Sequence, residues 1–255
     1  MEKPGLTILI PCLNEERTVG RAVREAFEVL RHCDTDGEVL VVDNGSHDRS
    51  AKLALEAGAR VEHAVQRGYG HALRRGFELA AFQNIAIVDA DLSYPMAKIP
   101  NLFAKLNSGC DFVLGNRLRG TIEPKAMPLL NRYLGTPVLS VLLRRLFAIP
   151  TFDCNSGLRV FKKSDVLAMN LQSGGMELAS EMLVRAAQMK LKYQEVVIPF
   201  YRDQRGHRSH LNRWNDGLRH LRLICNRKLN GHQAGTRDQR PKQNSMDQRV
   251  KADLL

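Results

Sequence analysis

The first half of the chain alternates short apolar runs with longer stretches in which apolar residues recur every three or four positions. The short runs at residues 6–10, 38–42 and 85–88 are rich in β-branched residues, which predicts buried strands. The stretch from Asn14 to about residue 31 has the period of a helix, and Asn14 is predicted to be its N-cap. This alternation of strands and helices predicts an α/β fold with a largely parallel sheet.

The same criteria extend the pattern to residue 224. They predict helices at residues 48–57, 71–82, 96–107, 129–147, 176–189 and 211–224, and strands at residues 60–64, 111–114, 153–161 and 193–200. Pro137 is expected to break or kink the apolar helix at 129–147. Residues 226–255 are polar and unpatterned, so we expect a disordered tail after one folded domain of residues 1–225.

Two acidic residues follow the strand predicted at residues 85–88. In an extended chain Asp89 and Asp91 point to the same side, because side chains alternate along a strand. Two convergent carboxylates suit a hard divalent cation, and Mg²⁺ is commonly held by one or two carboxylates together with substrate phosphates. The alternative is a strand-to-loop transition in which one aspartate caps a turn.

Polar side chains also follow the strands predicted at residues 6–10 and 38–42. The segment from Pro11 to Glu15 follows the first strand, and Asp43 ends the second. In open α/β sheets, ligands bind outside the carboxyl ends of the strands. Three polar strand ends on one edge of a sheet therefore predict a site for a nucleotide and a metal ion.

The chain of 255 residues carries a net charge of +11, which favours anionic partners. The charge is concentrated in residues 202–228, where eight Lys or Arg stand against two Asp. That segment holds a single tryptophan and lacks the aromatic pattern of RNA-binding motifs, so we do not expect a nucleic-acid partner.

Cysteine usage and hydropathy indicate the compartment. The five cysteines form no C-x-x-C pair, and their odd number argues against a disulfide framework or a zinc site. The N-terminal apolar run is too short for a signal peptide, and no stretch approaches 18 uninterrupted apolar residues. We therefore expect reduced thiols and a cytoplasmic location.

Five segments resemble one known family in order and spacing. They read TILIPCLNEE, VLVVDNGSHDRS, IVDADLSYP, FVLGNR and DCNSGLRVFKKS. Together they resemble the family 2 glycosyltransferases, and most closely the branch of the dolichol-phosphate mannose and glucose synthases. The resemblance covers residues 6–224 and implies a GT-A-type nucleotide-diphospho-sugar transferase fold for the domain of residues 1–225.

The resemblance implies a nucleotide-sugar site at the strand ends. Pro11, Asn14 and Glu15 match the first-strand motif that holds the nucleotide, and Asp43 and Asp48 match acids of the motif that reads a uracil or guanine base. Asn44 replaces the second acid of that motif, which leaves UDP and GDP donors both open. Gly70 matches a glycine-rich turn near the donor, and Asp89 and Asp91 match the D-x-D ligands of Mg²⁺ or Mn²⁺.

The resemblance also implies an acceptor site. Arg117 matches a basic residue near an acceptor phosphate, Asp153 opens a stretch resembling T-S-G-F-R, and Glu181 matches a helix acid. Arg202 matches an arginine that faces donor or acceptor phosphates. The family's C-terminal R-x-x-G-x-S-K is altered in residues 202–210, where His210 replaces the lysine.

The implied reaction is the inverting transfer of a hexose from a UDP- or GDP-sugar to a polyprenyl phosphate. A phosphate monoester is already largely anionic near neutral pH, so this nucleophile needs no general base. A soluble hydroxyl acceptor would need one, and Asp153, Glu177 and Glu181 are the candidates. A lipid acceptor implies peripheral contact with an anionic membrane through residues 129–149 and the basic segment, although residues 129–149 also fit simple core packing.

Overall fold

The computed structural model describes residues 3–206 and 213–234. Its strands are β1 (Lys3–Cys12), β2 (Gly37–Asp43), β3 (Arg60–His63), β4 (Phe82–Ile87), β5 (Phe112–Asn116), β6 (Arg159–Lys162) and β7 (Tyr193–Val197). Its helices are α1 (Val19–His32), α2 (Ser50–Glu56), α3 (Tyr69–Leu79), α4 (Ile99–Asn107), α5 (Thr136–Phe147), α6 (Lys163–Ala168), α7 (Leu178–Gln188) and α8 (Arg213–Ala234). A short 3₁₀ turn, Met96–Lys98, precedes α4.

The seven strands form one sheet in the order β3-β2-β1-β4-β6-β5-β7. Strand β6 runs antiparallel to both of its neighbours, β4 and β5, and the other pairs are parallel. The predicted α/β fold with a mostly parallel sheet and flanking helices is therefore confirmed.

Both faces of the sheet are covered, which explains the apolar runs in the strands β1, β2 and β4. In β1, Ile8 and Ile10 join the core beneath α1, α2 and α4. Leu9, between them, faces the other core, beneath α3, α5, α6 and α7. This alternation follows from the two-residue period of a strand.

Three parallel strands bring their carboxyl ends to one edge. Cys12 at the end of β1 pairs with Asp43 at the end of β2, and β4 lies on the other side of β1 with Ile87 opposite Leu9. The polar residues after β1, β2 and β4 consequently meet at this edge.

The N-cap prediction for Asn14 is wrong. Helix α1 begins at Val19, and Asn14 adopts a left-handed backbone conformation with φ of 57°. Its side-chain oxygen accepts a hydrogen bond from the backbone N–H of His47 at 2.9 Å, so Asn14 connects two loops and caps no helix.

Two other boundaries differ from the prediction. The segment predicted to be extended from residue 153 forms a turn, and β6 begins only at Arg159. The apolar helix predicted at 129–147 contains a π-helical turn, Asn131–Gly135, that leads directly into α5, and Pro137 lies in the first turn of α5 without breaking the helix.

Helix α8 continues past the predicted end at residue 224 to Ala234. Residues 235–255 of the predicted tail lie outside the described residues, and the domain boundary at residue 225 stays a prediction. Within the described part of the chain, none of the helices has the length and hydropathy needed to cross a bilayer.

Candidate functional site

A cleft of about 320 Å³ opens at the carboxyl ends of the parallel strands. Its walls come from the loops after β1, β2, β3 and β4 and from the turn before α7. Acidic Glu15 and Asp89 face three basic side chains across it, and these are Arg67, Arg205 and Arg219. A cleft lined by several arginines suits a phosphorylated ligand, because guanidinium groups bind phosphate in a bidentate manner.

The two aspartates after β4 are fixed by short local contacts. Oδ1 of Asp89 accepts a hydrogen bond from the hydroxyl of Tyr69 at 3.2 Å. Oδ1 of Asp91 accepts two bonds from Ser93, one from the backbone N–H at 2.9 Å and one from the hydroxyl at 2.6 Å. Burial, and then the neighbouring charge of Asp91, raise the pKa of Asp89 to about 6.

Arg205 supplies the positive charge that faces these carboxylates. Its guanidinium forms an ion pair with Oδ2 of Asp91, and its Nη1 lies 3.3 Å from Oε1 of Glu15. The side chain of Arg205 is only 15% exposed. Sequence reasoning named Arg202 instead, but Arg202 is exposed and contributes its backbone N–H to Glu123. The available signal was the Arg205-Gly206 pair inside the altered C-terminal motif.

The donor set fits a divalent cation completed by phosphate oxygens. Among the described residues, no group of three or more His, Cys, Asp or Glu is arranged to hold a metal ion. Mg²⁺ commonly takes only one or two carboxylate ligands from the protein when substrate phosphates supply the others. Asp89 and Asp91 match that number. The guanidinium of Arg205 occupies a cation position against Asp91 and Glu15.

The loops after β1 and β2 are tied to each other at the cleft. The N–H of Asn14 donates to the hydroxyl of Ser46 at 2.9 Å, and the N–H of Glu15 donates to the hydroxyl of Ser50 at 2.7 Å. Asp48 accepts hydrogen bonds from the N–H of Ser50 and the N–H of Glu16. Pro11 and Glu15 line the cleft directly, whereas Asp48 fixes the loops behind it.

Asp43 lies at the end of β2 and is nearly buried. Its carboxylate accepts hydrogen bonds from the N–H groups of Gly45 and Ser46, each at 3.3 Å, and contacts Nδ1 of His63 at 3.3 Å. Asp43 therefore stabilises the turn after β2. A ligand that binds its carboxylate would do so in addition to these hydrogen bonds.

Gly70 permits a close approach of two backbone segments. A Cβ atom there would lie 2.5 Å from the carbonyl oxygen of Ser173 and 2.9 Å from that of Gly175. Its neighbours Gly68 and Tyr69 line the cleft, and Asn44 accepts a hydrogen bond from the N–H of Gly68 at 3.0 Å. Gly70 thus positions the start of α3 against the turn before α7.

Arg117 and Asp153 bind each other beneath the cleft. Arg117 donates to Asp153 from its backbone N–H at 2.9 Å, from Nε at 2.8 Å and from Nη2 at 2.7 Å. Both residues are buried. The hydroxyl of Tyr94 accepts from Nη1 of Arg117 and from the N–H of Gly157, which joins this pair to the turn beside Asp89.

Gly157 lies directly against the first aspartate. A Cβ atom at Gly157 would lie 2.7 Å from Oδ2 of Asp89. The buried Arg159, two residues later, donates to the carbonyl oxygens of Cys154, Ser156 and Ala179, so it fixes this turn from below.

The two helix acids near the cleft differ in their partners. Glu181 is fully buried and accepts hydrogen bonds from the N–H groups of Gln172 and Ser173 and from the guanidinium of Arg227. Glu177 accepts a hydrogen bond from the N–H of Gly175 at Oε1, and its Oε2 is buried without a hydrogen-bond partner among the residues that the structure describes. Gly175 and Met176, just before Glu177, line the cleft.

Comparison with known proteins agrees with this geometry. Residues 7–167 match the model of the family described as Glycosyl transferase family 2. The chain is 35% identical over 222 residues to the low-salt glycan biosynthesis hexosyltransferase Agl6 of Haloferax volcanii, an alignment covering 87% of this chain and 53% of that protein. The chain therefore spans about half the length of this relative.

A second relative is similar over most of both chains. The dolichyl-phosphate hexose transferase of Haloferax volcanii is 30% identical over 79% of this chain and 84% of its own length. Among solved structures, glucosyl-3-phosphoglycerate synthase from Mycobacterium tuberculosis, in complex with Mn²⁺, UDP and glucosyl-3-phosphoglycerate, superposes with a TM-score of 0.68 at 19% identity. That match covers 88% of this chain and 80% of the synthase and supports the same fold.

These matches confirm the predicted GT-A-type fold and the family that the sequence was found to resemble. The strand-end carboxylates, the arginine-lined cleft and the family match over residues 7–167 lead to one conclusion: the chain belongs to glycosyl transferase family 2, on the branch that resembles the dolichol-phosphate sugar synthases.

Proposed function

We propose that the protein transfers a hexose from a nucleotide-diphosphate sugar to a polyprenyl-phosphate-type lipid, with a divalent metal ion at Asp89 and Asp91. The observation that carries this proposal is the meeting of these aspartates with Glu15 and Arg205 at the carboxyl ends of β1 and β4. Ligands of open α/β sheets bind at this edge.

The proposal of a nucleotide-sugar donor rests on the positive charges that the site can offer to a diphosphate. Mg²⁺ or Mn²⁺ would neutralise the negative charge that builds on the diphosphate leaving group as the glycosidic bond breaks. Arg67, Arg205 and Arg219 line the same cleft and supply bidentate contacts to phosphate oxygens. Asp43 lies at the end of β2, where it can accept a hydrogen bond from a uracil or guanine base.

The proposal of a phosphate acceptor rests on the hydrogen bonds of two predicted general bases, Asp153 and Glu181. Both oxygens of Asp153 are occupied by Arg117, and both oxygens of Glu181 by backbone N–H groups and Arg227. Neither carboxylate is available to take a proton from a hydroxyl. A phosphate nucleophile needs no such base, because it is already anionic near neutral pH. The relative named dolichyl-phosphate hexose transferase supports this acceptor class.

An exposed apolar surface supports contact with a lipid. Five large apolar side chains are exposed at helical spacing around the π-helical turn before α5, and we name them the apolar helix face: Leu129, Leu130, Tyr133, Leu134 and Val138. The same helical segment contacts the 153–157 turn through Thr136, which accepts a hydrogen bond from Asn155 at 3.3 Å. Gly157 of that turn lies against Asp89, so the helical segment that carries the apolar helix face contacts the turn beside the proposed reaction centre.

A second candidate function is transfer to a soluble or glycan hydroxyl. It is favoured by one observation, the unpartnered Oε2 of Glu177 beside the cleft-lining Gly175 and Met176. A carboxylate oxygen with no internal hydrogen bond can serve as a general base once an acceptor hydroxyl lies within reach.

A donor screen followed by an acceptor assay tests the proposal. The purified full chain with Mn²⁺ is screened by thermal shift against UDP-glucose, UDP-N-acetylglucosamine and GDP-mannose, and the stabilising donor is then offered with a short polyprenyl phosphate or a soluble sugar. We expect transfer to the lipid phosphate, with Glu177→Gln retaining most of the wild-type rate. Transfer only to the soluble hydroxyl, abolished in Glu177→Gln, would establish the second candidate instead.

Membrane contact is tested separately with anionic liposomes. Leu129→Asp and Leu134→Asp should weaken flotation with the vesicles, because each places a charge on the apolar helix face. Leu55→Asp is the matched control, since Leu55 is 63% exposed, comparable with 71% for Leu129 and 56% for Leu134, but lies on α2. Binding should also fall with salt, because exposed charges are screened within about 8 Å at physiological ionic strength. Equal flotation of all three variants would argue against this surface.

A further inference from the structure

A short segment after β7 crosses the edge of the cleft and carries Arg205 into it. We call residues 201–206 the strap. The N–H of Tyr201 donates to the carbonyl oxygen of Ser93 at 2.9 Å, and the N–H of Gln204 donates to the carbonyl oxygen of Asp91 at 3.0 Å. The strap is thus hydrogen-bonded to the same turn that presents the aspartates.

Side-chain contacts hold the strap at two further points. The N–H of Arg202 donates to the carboxylate of Glu123 at 2.8 Å, and Arg21 on α1 donates to the side chain of Gln204 at 3.2 Å. Gly206 closes the strap with φ of 79°, a conformation that favours glycine. These contacts fix the backbone that leads to Arg205, and the ion pairs with Asp91 and Glu15 hold its side chain in the cleft.

The guanidinium of Arg205 neutralises part of a concentrated negative charge. Glu15 and Asp89 line the cleft together with Arg205, and Arg205 pairs directly with Glu15 and with Asp91, two residues after Asp89. Carboxylates that are shielded from water require such compensation, because an unpaired buried charge is costly. One guanidinium leaves an excess of negative charge, which a divalent cation would remove.

The cation and the guanidinium compete for the same oxygen. Arg205 pairs with Oδ2 of Asp91, and the Oδ1 atom of that residue already accepts two hydrogen bonds from Ser93. A metal ion that binds Oδ2 of Asp91 would lie next to the Arg205 guanidinium, and the repulsion between the two positive charges favours displacement of Arg205. The diphosphate of an incoming nucleotide offers the displaced guanidinium a new bidentate partner.

We infer that Arg205 is an intramolecular cation that occupies the Asp91 and Glu15 carboxylates until metal and nucleotide diphosphate arrive together, an inference that rests on the proposed function. Metal alone binds weakly, because it has to break the ion pairs of Arg205 with Asp91 and Glu15 and replaces neither, although Nε of Arg205 keeps its contact with Asp203 at 3.4 Å. A nucleotide diphosphate bridges the metal ion and the displaced guanidinium, so metal and nucleotide each strengthen the binding of the other by the same factor. Arg205 thereby prevents the site from filling with free metal ions that lack a donor.

The test measures metal binding directly and needs no turnover. Mn²⁺ is titrated into the full-length protein and followed by the electron paramagnetic resonance of the free ion, with and without UDP or GDP. For wild type we expect weak binding of Mn²⁺ alone and an affinity at least about tenfold higher with the nucleotide, the size expected for one charge-assisted contact. Arg205→Gln should bind Mn²⁺ alone about tenfold more tightly and lose most of the enhancement by nucleotide.

Two further variants make the result specific. Arg205→Lys retains a cation on the strap and should behave more like wild type than Arg205→Gln does. Arg24→Gln removes the same charge from an exposed position on α1 and should leave Mn²⁺ affinity unchanged. Circular dichroism confirms that each variant is folded before the titration.

Two outcomes would overturn the inference in distinguishable ways. Equal affinity of wild type and Arg205→Gln for Mn²⁺ alone, with enhancement by nucleotide in both, would remove the role of Arg205 and leave the proposed metal and nucleotide site standing. Absence of Mn²⁺ binding from both proteins, with and without nucleotide, would overturn the inference together with the proposed metal site.

Discussion

The guanidinium of Arg117 and the carboxylate of Asp153 form a buried, two-pronged ion pair, with distances of 2.8 Å from Nε to Oδ2 and 2.7 Å from Nη2 to Oδ1. The backbone N–H of Arg117 adds a third bond to the same carboxylate. Arg117 and Asp153, which the resemblance assigned to an acceptor site, thus satisfy each other's charge and hydrogen-bonding groups. Their main role is to fix the geometry of the 153–157 turn.

Loss of Asp153 should destabilise the protein strongly. Asp153→Ala leaves the buried guanidinium of Arg117 without its carboxylate, and breaking a buried pair on one side typically costs about 3–5 kcal/mol. Urea unfolding followed by circular dichroism measures this loss. The double variant Arg117→Met with Asp153→Leu should recover part of it, because no uncompensated charge remains. A single variant as stable as wild type would contradict the buried pair.

Asp91→Asn should abolish sugar transfer while the fold remains intact. The neutral amide cannot compensate a divalent cation and presents an N–H₂ group where a carboxylate oxygen was. Activity with the preferred donor, and its loss in EDTA, are measured beside thermal unfolding. Asp34→Asn, at an exposed position in the turn after α1, is the matched control. Wild-type turnover of Asp91→Asn, or wild-type turnover in EDTA, would refute metal dependence.

Gly157→Ala should weaken metal binding through Asp89. The added Cβ atom would lie 2.7 Å from Oδ2 of Asp89 and 3.2 Å from the ring of Tyr94, so the carboxylate has to move. We expect a stability loss of about 1–3 kcal/mol, typical of overpacking, together with a lower Mn²⁺ affinity in the presence of nucleotide.

The control for this substitution is Gly217→Ala in α8. A Cβ atom at Gly217 meets no heavy atom within 4 Å, and alanine is favoured over glycine inside a helix by about 1 kcal/mol. Gly217→Ala should therefore be neutral or stabilising and leave Mn²⁺ affinity unchanged. Equal effects of the two substitutions on Mn²⁺ affinity would show that contact with Asp89 is not the cause.

Stability should depend on pH through His220. This side chain is buried on α8, where Nδ1 lies 2.7 Å from the hydroxyl of Ser180. Burial, and then the nearby charge of Arg159, lower its pKa from 6.5 to about 4. Between these values the unfolded chain binds a proton that the folded chain does not, so the stability present above pH 6.5 is lost as the pH falls towards 4.

The contribution of His220 is at most about 1.4 kcal/mol per pH unit in that window. His220→Asn places an amide near the position of Nδ1 and does not titrate, so it should show a smaller loss of stability between pH 7 and pH 5 than wild type. Urea unfolding at both pH values provides the difference, in which the other titrating groups largely cancel. An identical pH dependence of the two proteins would exclude His220 as its source.

The local pattern of apolar and polar residues was sufficient to predict the strands whose ends form the edge of the sheet. The apolar run at residues 85–88 and its β-branched residues predict a buried strand, and the two aspartates follow at a spacing that keeps them together. Parallel strands end at a common edge, so the grouping of Asp43, Asp89 and Asp91 could also be predicted. These features depend on periods of two or three to four residues, which a sequence displays directly.

Which side chains meet across the fold was decided only by tertiary structure. Arg205 and Asp91 are 114 residues apart, and Arg117 and Asp153 are 36 apart, so no local period connects either pair. Asn14 is a residue type that often caps helices, but its side-chain oxygen accepts a hydrogen bond from the N–H of His47 in a neighbouring loop. Because a buried polar group takes whichever partner packing brings within hydrogen-bond distance, the sequence determined the strands and their acidic ends, and the packed structure decided which charges compensate them.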